Sequence, residues 1–379
     1  MKVALVLERF DWRKGGLESW TWQFAQQLRS KGFEVHIVAF EFHPAARDEG
    51  VIIHQLEMPR SRLARAEALE KYLRDLNPDV IHDMGVGWYA DIFHPHGGST
   101  LATWRHNLMR IPRWRRFTFW RAKRHREIQE IEQRQHARPD AVVVAVSNMV
   151  KHHFQELHRL PEEKLRVIYN GVDLEKFSPE HRAQYRDTVR AELGLRNEVL
   201  FFLLAHNLRL KNASTLIRSM GLLAAKDKPV HLVIAGNDRT DSYVQLAVKT
   251  GAASRVTFLG LVDPIKYYAA ADVCVLPTWY DPCSLFTLEA WSAGCPVITT
   301  RCNGASELMV EGVHGYALDD PANHIQLASK MEALIDDNLR ATMSESARKL
   351  ALEHSFARQA SEFVALYQEI KNAKQGSRV

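Results

Sequence analysis

The sequence predicts an α/β protein built from two doubly wound units in tandem, each a parallel sheet covered by helices. Short apolar, β-branched runs of strand length alternate with segments whose apolar residues recur at helical spacing. The alternation restarts after about residue 196. A length of 379 residues also exceeds what one core of ordinary size needs, which argues for two domains.

In the first unit, residues 3–7 read as a buried strand, followed by a loop that contains Gly15 and Gly16. Leu17, Trp20, Phe24 and Leu28 mark the inner stripe of a helix that Gly32 stops. Residues 35–40 form the next strand, and 80–82, 91–93, 141–146 and 166–168 continue the series. The second unit opens with a strand at 199–204, a helix at 213–225 and a strand at 231–235 closed by Gly236. Strands at 256–259, 273–276 and 296–299 follow, separated by helical runs.

Between the units, YNGVDLEKFSPEHRAQYRD carries an Asn170-Gly171 turn signal and a Ser178-Pro179 break, which places the connection there. The expected domains are residues 1–170 and 171–355. The tail 356–379 presents Phe363, Leu366, Tyr367 and Ile370 at helical spacing, a stripe that needs a surface to pack on.

Composition is that of a globular chain, 46% hydrophobic and 25% charged, with a formal charge of +5. No apolar run approaches the roughly eighteen residues a membrane span requires. The N-terminal apolar run is too short for a signal peptide and no small-residue cleavage site follows it. Cys274, Cys283, Cys295 and Cys302 include no C-x-x-C pair, so reduced thiols of a cytoplasmic protein are expected.

The segment PTWYDPCSLFTLEAWSAGCPVITT at 277–300 concentrates the chemistry. It follows a buried-strand run, and Leu285, Leu288 and Trp291 then recur at helical spacing. A strand–loop–helix unit offers free backbone N–H groups and a positive helix end, which suits a phosphate. Asp281 enters the loop and Glu289 sits in the helix, eight residues on. Two carboxylates flanking an anion site suit the hydroxyls of a nucleotide-sugar. No G-x-G-x-x-G follows the first strand, which argues against a nicotinamide-dependent oxidoreductase.

The Gly15-Gly16 loop, VIYNGVDLEKFSP at 167–179, the Asp281/Glu289 segment and TRCNGASELMVEGVHGYALD at 300–319 follow one another along the chain and together resemble the retaining glycosyltransferases of family 4. The likeness is nearest to the lipopolysaccharide-core glucosyltransferase-like members. It implies a GT-B fold, two doubly wound Rossmann-like domains facing one another across a cleft. It further implies acceptor binding on the first domain, donor binding on the second, and packing of the C-terminal helix 356–379 on the first.

The resemblance assigns roles residue by residue. Glu289 would bind the ribose hydroxyls, and Asp281 the hydroxyls of the transferred sugar. Backbone N–H groups from Cys283, Ser284, Leu285 and Phe286 would meet the sugar or phosphate. Lys211 and Arg209, in the loop AHNLRLKNAS, would neutralise the diphosphate leaving group. Gly15 and Gly16 would approach that diphosphate from the other domain. His96, in FHPHGGS, would lie near the anomeric carbon, and it fits that place better than His94. The resemblance also implies same-face transfer, with no metal required.

This sequence departs from the family pattern in four places. Asp281 stands where a first Glu is usual, Cys283 and Ser284 replace Phe and Gly, and Asn212 follows the Lys in place of Gly. Ser284 lacks glycine's freedom at positive φ, which predicts a loop of different shape. These changes bear on donor-sugar selectivity.

Residues 104–126, WRHNLMRIPRWRRFTFWRAKRHR, contain no acidic residue. Arg113, Trp114, Arg115, Arg116, Trp120 and Arg121 suit an anionic membrane surface or an anionic glycolipid acceptor. An ordinary charged helix with inward aromatics accounts for them too, and nucleic acid is disfavoured because the basic excess is confined to one segment. The reading is therefore a hexosyltransferase using a nucleotide-sugar, with UDP-sugar favoured over GDP- or ADP-sugar. Its acceptor is a glycan or glycolipid, in lipopolysaccharide-core or surface-polysaccharide synthesis. The expected location is cytoplasmic, peripheral on the inner face of the membrane. The alternatives are a GT-B sugar-nucleotide epimerase and a catalytically silent glycan- or membrane-binding protein.

Overall fold

A computed structural model describes residues 1–11, 16–43, 50–109 and 123–376. The chain divides into two compact units, Met1–Tyr169 with Ala357–Val379, and Asn170–Phe356.

The first unit holds a seven-stranded sheet in the order β5-β3-β1-β6-β7-β8-β9, parallel throughout. Its strands are β1 (Lys2–Val6), β3 (Glu34–Ala39), β5 (Ile52–Gln55), β6 (Val80–Asp83), β7 (Ile92–Phe93), β8 (Val142–Ala145) and β9 (Leu165–Val167). Two short strands, β2 (Arg9–Phe10) and β4 (Glu41–Phe42), pair separately, just beyond β1 and β3. Val3, Ala4, Leu5 and Val6 are fully buried, as a central strand covered on both faces must be. The helix Gly16–Ser30 buries Trp20, Phe24 and Leu28, the stripe its spacing announced. The C-terminal helix Phe356–Gly376 supplies Phe363, whose ring lies 5.2 Å from that of Phe24, and Tyr367, whose hydroxyl is 2.6 Å from His82 Nδ1. Lys374 anchors its far end, Nζ lying 2.7 Å from Asp91 Oδ2.

The second unit holds a six-stranded parallel sheet in the order β12-β11-β10-β13-β14-β15. These are β10 (Val199–Leu204), β11 (Val230–Ala235), β12 (Val256–Leu259), β13 (Val273–Val275), β14 (Val297–Thr300) and β15 (Gly315–Leu318). Both sheets are doubly wound. The chain winds outward from β1 or β10 through two further strands, then returns to the other side. In doubly wound sheets ligands bind at the carboxyl ends of the strands where the order reverses, which here lies between β1 and β6 and between β10 and β13.

Several elements differ from expectation. The strand expected at 296–299 is shifted to Val297–Thr300, because Pro296 has no N–H to give the ladder; its carbonyl accepts from Cys274 N at 3.0 Å. β2 and β4 are two residues each, too short to carry a period. β5 lies at the sheet edge, partly exposed, without a buried run. β15 is hidden in sequence by its glycine. Gly315 has φ +141, and a Cβ there would come within 1.9 Å of Val297 O, so glycine allows the two backbones to meet.

Candidate active site

The switch point of the second sheet is flanked by the loops that leave β10 and β13. The first, residues 205–212, ends in Lys211 and Asn212. Asn212 adopts φ 58, ψ 42 before the helix Ala213–Ala225. This left-handed conformation explains why asparagine replaces glycine here, since asparagine tolerates it better than other side chains. Asn212 Nδ2 also donates to Pro321 O at 2.6 Å. Asp238 Oδ2 accepts from Leu208 N at 2.8 Å, which ties this loop to the one after β11. Gly236, with φ +142, opens that neighbouring loop, and a Cβ there would stand 1.8 Å from Ala205 O.

The loop after β13 meets the first loop directly. Trp279 N donates to Leu210 O at 3.0 Å, and Thr278 Oγ1 to the same oxygen at 3.2 Å. Lys211 Nζ then forms an ion pair with Asp281 Oδ2. Asp281 is buried, and its backbone is pinned by Asp281 N to Cys302 O at 2.9 Å and Gly304 N to Asp281 O at 2.8 Å.

Asn303 organises the turn. Fully buried, its Oδ1 accepts from Ser284 N and Ala305 N, each at 3.1 Å. Its Nδ2 donates to Thr287 Oγ1 and Thr299 Oγ1, each at 3.0 Å. From the other side, Asn170 Nδ2 donates to Cys283 O at 2.9 Å. Ser284 is the N-cap of the helix Leu285–Ser292, its hydroxyl accepting from Thr287 N at 3.3 Å.

Two expectations are corrected here. Ser284 has φ −64, an ordinary extended conformation, so this loop does not require glycine and the substitution forces no change of shape. The Ser284 N–H is committed to Asn303, which removes it from the expected set of donors for sugar or phosphate.

Glu289 is partly exposed on that helix. Tyr268 Oη donates to its Oε2 at 2.7 Å. Burial pushes the Glu289 carboxyl up to about 7, against the opposing effects of Tyr268 and Lys176. Asp281 and Glu289 thus have different partners, an ammonium for one and a phenol for the other. Phe286 is buried against Tyr268, with ring centroids 5.7 Å apart, while Cys283 is buried and Leu285 partly exposed. Arg209 is exposed in the first loop.

In the first unit, His96 follows β7. Its ring lies 4.4 Å from Trp20 and 4.1 Å from His94. Burial lowers its pKa to about 3, so the imidazole is neutral. His94 is fully enclosed and continues a chain, its Nδ1 3.2 Å from His82 Nε2, whereas His96 keeps partial exposure. The fully buried Asp83, at the end of β6, caps the next turn by accepting from the N–H groups of Gly85, Val86 and Gly87. Gly16 is the exposed first residue of its helix. Gly15, Arg113, Trp114, Arg115, Arg116, Trp120 and Arg121 lie outside the described residues. Trp104 and Arg105 from the basic segment fall in the helix Thr100–Met109, where Trp104 is buried. No helix among the described residues is long and apolar enough to cross a membrane.

Sequence reasoning missed Asn303, Tyr268 and Asn170. Both asparagines precede glycine and read as turn residues; their buried hydrogen bonds leave no mark in local pattern.

Comparison with known proteins agrees with this architecture. Residues 14–176 match the family model described as Glycosyltransferase Family 4, and residues 197–337 that described as Glycosyl transferases group 1. An uncharacterized glycosyltransferase of Methanocaldococcus jannaschii is 30% identical over 232 residues, covering 59% of each chain. The D-inositol 3-phosphate glycosyltransferase of Corynebacterium urealyticum is 29% identical over 220 residues, covering 55% of this chain and 51% of that one. The chain thus spans little more than half the length of the curated relatives it matches. Among solved structures, WaaG, a glycosyltransferase involved in lipopolysaccharide biosynthesis, superposes with a TM-score of 0.81 at 19% identity, covering 96% of this chain and 99% of that one. Anabaena HepE in complex with UDP gives 0.76 at 19% identity, covering 97% and 100%.

The fold class is GT-B, with a doubly wound parallel sheet in each unit. With glycosyltransferase models matching residues 14–176 and 197–337, the chain is a family 4-like glycosyltransferase.

Proposed function

We propose that this protein is a metal-independent, retaining hexosyltransferase that moves a sugar from a nucleotide-sugar to a glycan or glycolipid. The Lys211–Asp281 ion pair across the switch point of the second sheet carries this reading. It sets a cation for a diphosphate beside a carboxylate for sugar hydroxyls, at the place where doubly wound sheets bind ligands. An ammonium has three N–H donors, so Lys211 can serve Asp281 and a phosphate oxygen together. Negative charge growing on the leaving diphosphate is stabilised there without reorganisation. Arg209 adds positive charge at the mouth of the site. Glu289, held by Tyr268, accepts hydrogen bonds from the ribose hydroxyls. Neutral His96 contributes a hydrogen-bonding imidazole near the anomeric carbon, with Gly15 and Gly16 beside the diphosphate.

In this reading the second unit binds the donor and the first the acceptor, with 1–170 and 171–355 as functional domains. UDP is the favoured nucleotide, and a neighbouring fold has been solved with UDP bound. A place in lipopolysaccharide-core or surface-polysaccharide synthesis follows the same likeness. The arginines of segment 104–126 would dock the protein on an anionic membrane. Replacing Arg115, Arg116 and Arg121 with Ser should then weaken binding to anionic liposomes and spare nucleotide binding; unchanged liposome binding would reject that docking role.

A thermal-shift panel of UDP-, GDP- and ADP-sugars, run with EDTA and again with magnesium, tests the main reading. A ligand at a hundred times its Kd adds about 2.7 kcal/mol to stability. The expected result is a shift with UDP-sugar that EDTA does not remove. No shift with any nucleotide-sugar, or one that requires magnesium, would overturn it. Product analysis with a carbohydrate acceptor separates transfer from epimerisation.

A further inference from the structure

The C-terminal helix Phe356–Gly376 carries Gln359, Phe363 and Tyr367 at intervals of four, and so on one stripe. All three are fully buried within the first unit. Trp20 Nε1 donates to Gln359 Oε1 at 2.9 Å, a buried bond between the first helix and the last. The Phe363 ring lies 5.0 Å from His94 and 6.0 Å from Trp20. Tyr367 Oη is 2.6 Å from His82 Nδ1, and His82 Nε2 is 3.2 Å from His94 Nδ1.

This chain of hydrogen bonds fixes the tautomers. Burial holds the His82 and His94 imidazoles well below the usual histidine range, so each is neutral and carries one proton. Among the described residues, His82 is the hydrogen-bond partner of the Tyr367 hydroxyl. Donation by that hydroxyl satisfies its O–H, whereas the opposite direction would leave a buried donor unpaired. His82 therefore keeps its proton on Nε2 and donates to His94 Nδ1, which places the His94 proton on Nε2.

His96 has no such tether. Among the described residues its Nε2 is buried without a hydrogen-bond partner, and its ring is confined by Trp20 at 4.4 Å and His94 at 4.1 Å. An imidazole with no hydrogen bond to direct it turns easily about χ2, so these two neighbours decide its orientation. Both neighbours are held by the one stripe of the C-terminal helix.

We propose that Gln359 and Tyr367 are positioning residues that set the His96 imidazole, Gln359 through Trp20 and Tyr367 through His82 and His94. His96 is the ring placed near the anomeric carbon in the transferase reading, on which the catalytic part of the proposal rests. The last helix then aligns a group of the reaction in addition to covering the sheet.

Tyr367→Phe and Gln359→Leu, each made in the full chain and again together with His96→Ala, test the assignment. Imidazole 1H–15N spectra come first, because they need no turnover. Each variant should move the His96 signals, which are identified by their loss in His96→Ala. Tyr367→Phe should also redistribute the proton between the two nitrogens of His82. Unmoved His96 signals in either variant would remove that residue from the positioning role.

Steady-state kinetics with a UDP-sugar then reads catalysis. Each variant should lower kcat by about ten- to a hundredfold, with the donor KM changed less than about threefold. With His96→Ala already present, the same substitution should cost less than about twofold, since the ring it acts through is gone. An equal loss in both backgrounds, a raised KM with kcat intact, or full turnover by His96→Ala would overturn the catalytic part. UDP binding by wild type without turnover of any nucleotide-sugar would remove the transferase reading itself. The His96 spectra would still decide whether the helix sets the ring.

Discussion

Lys211 and Asp281 form an ion pair although seventy residues separate them in the chain. The pair bridges the loops that leave β10 and β13, and both side chains are largely buried. Its position makes it the point where nucleotide binding and sugar binding meet in the proposed reaction. Lys211→Ala should lower kcat by about 100- to 1,000-fold, the scale on which a single stabilising group at a developing charge operates. Steady-state kinetics with the UDP-sugar found in the binding panel measures this. Turnover within a factor of three of wild type would remove Lys211 from the leaving-group role.

Asn303 holds the same turn through four hydrogen bonds to buried partners. Asn303→Ala leaves two backbone N–H groups and two hydroxyls to find other partners. A destabilisation of about 3–5 kcal/mol is expected, given about 1–3 kcal/mol for each buried group left unsatisfied and some relaxation. Urea unfolding checks the value. A loss under about 1 kcal/mol would show that the turn holds without its asparagine.

Glu289 should give the protein a distinctive pH dependence. Its carboxyl is raised from 4.5 to about 7 in the fold, so folding favours the protonated form. The stability contributed by that proton is fully present below about pH 4.5 and is lost as pH rises through about 7. Glu289→Gln should therefore match wild type in Tm near pH 4.5 and exceed it at pH 8. If Glu289 accepts from ribose, UDP affinity should also rise with pH over that window in wild type and rise less in the variant. Parallel melting curves for the two proteins across pH 4.5–8 would count against the shift.

Asn212 is held at positive φ between Lys211 and its helix. Asn212→Gly and Asn212→Ala both lose the bond to Pro321, but only alanine adds strain in the left-handed region. The alanine variant should be less stable than the glycine variant by about 1 kcal/mol. Equal stability of the two would mean that the loop relaxes out of this conformation.

The sequence by itself determined the class of fold and the placing of several candidate side chains on their elements. Buried-strand runs and helical stripes such as Trp20, Phe24 and Leu28 are local records of which face meets a core, so alternation of the two discloses a doubly wound protein. The same local signal put Asp281 in a loop and Glu289 in the helix after it. Lys211 was legible as a basic residue following a strand, and His96 as a loop histidine before two glycines. Only the tertiary structure decided which groups meet. The Lys211–Asp281 pair, the four bonds of Asn303, the Tyr268 hydroxyl on Glu289 and the commitment of the Ser284 N–H all join residues brought together by strand order. Ser284 and Asn212 show the same division at the backbone, where residue type limits the allowed φ and the surrounding contacts select it. Periodicity records burial along a segment, whereas hydrogen bonds and ion pairs depend on partners from distant segments, and those partners exist only once the sheet has set its order.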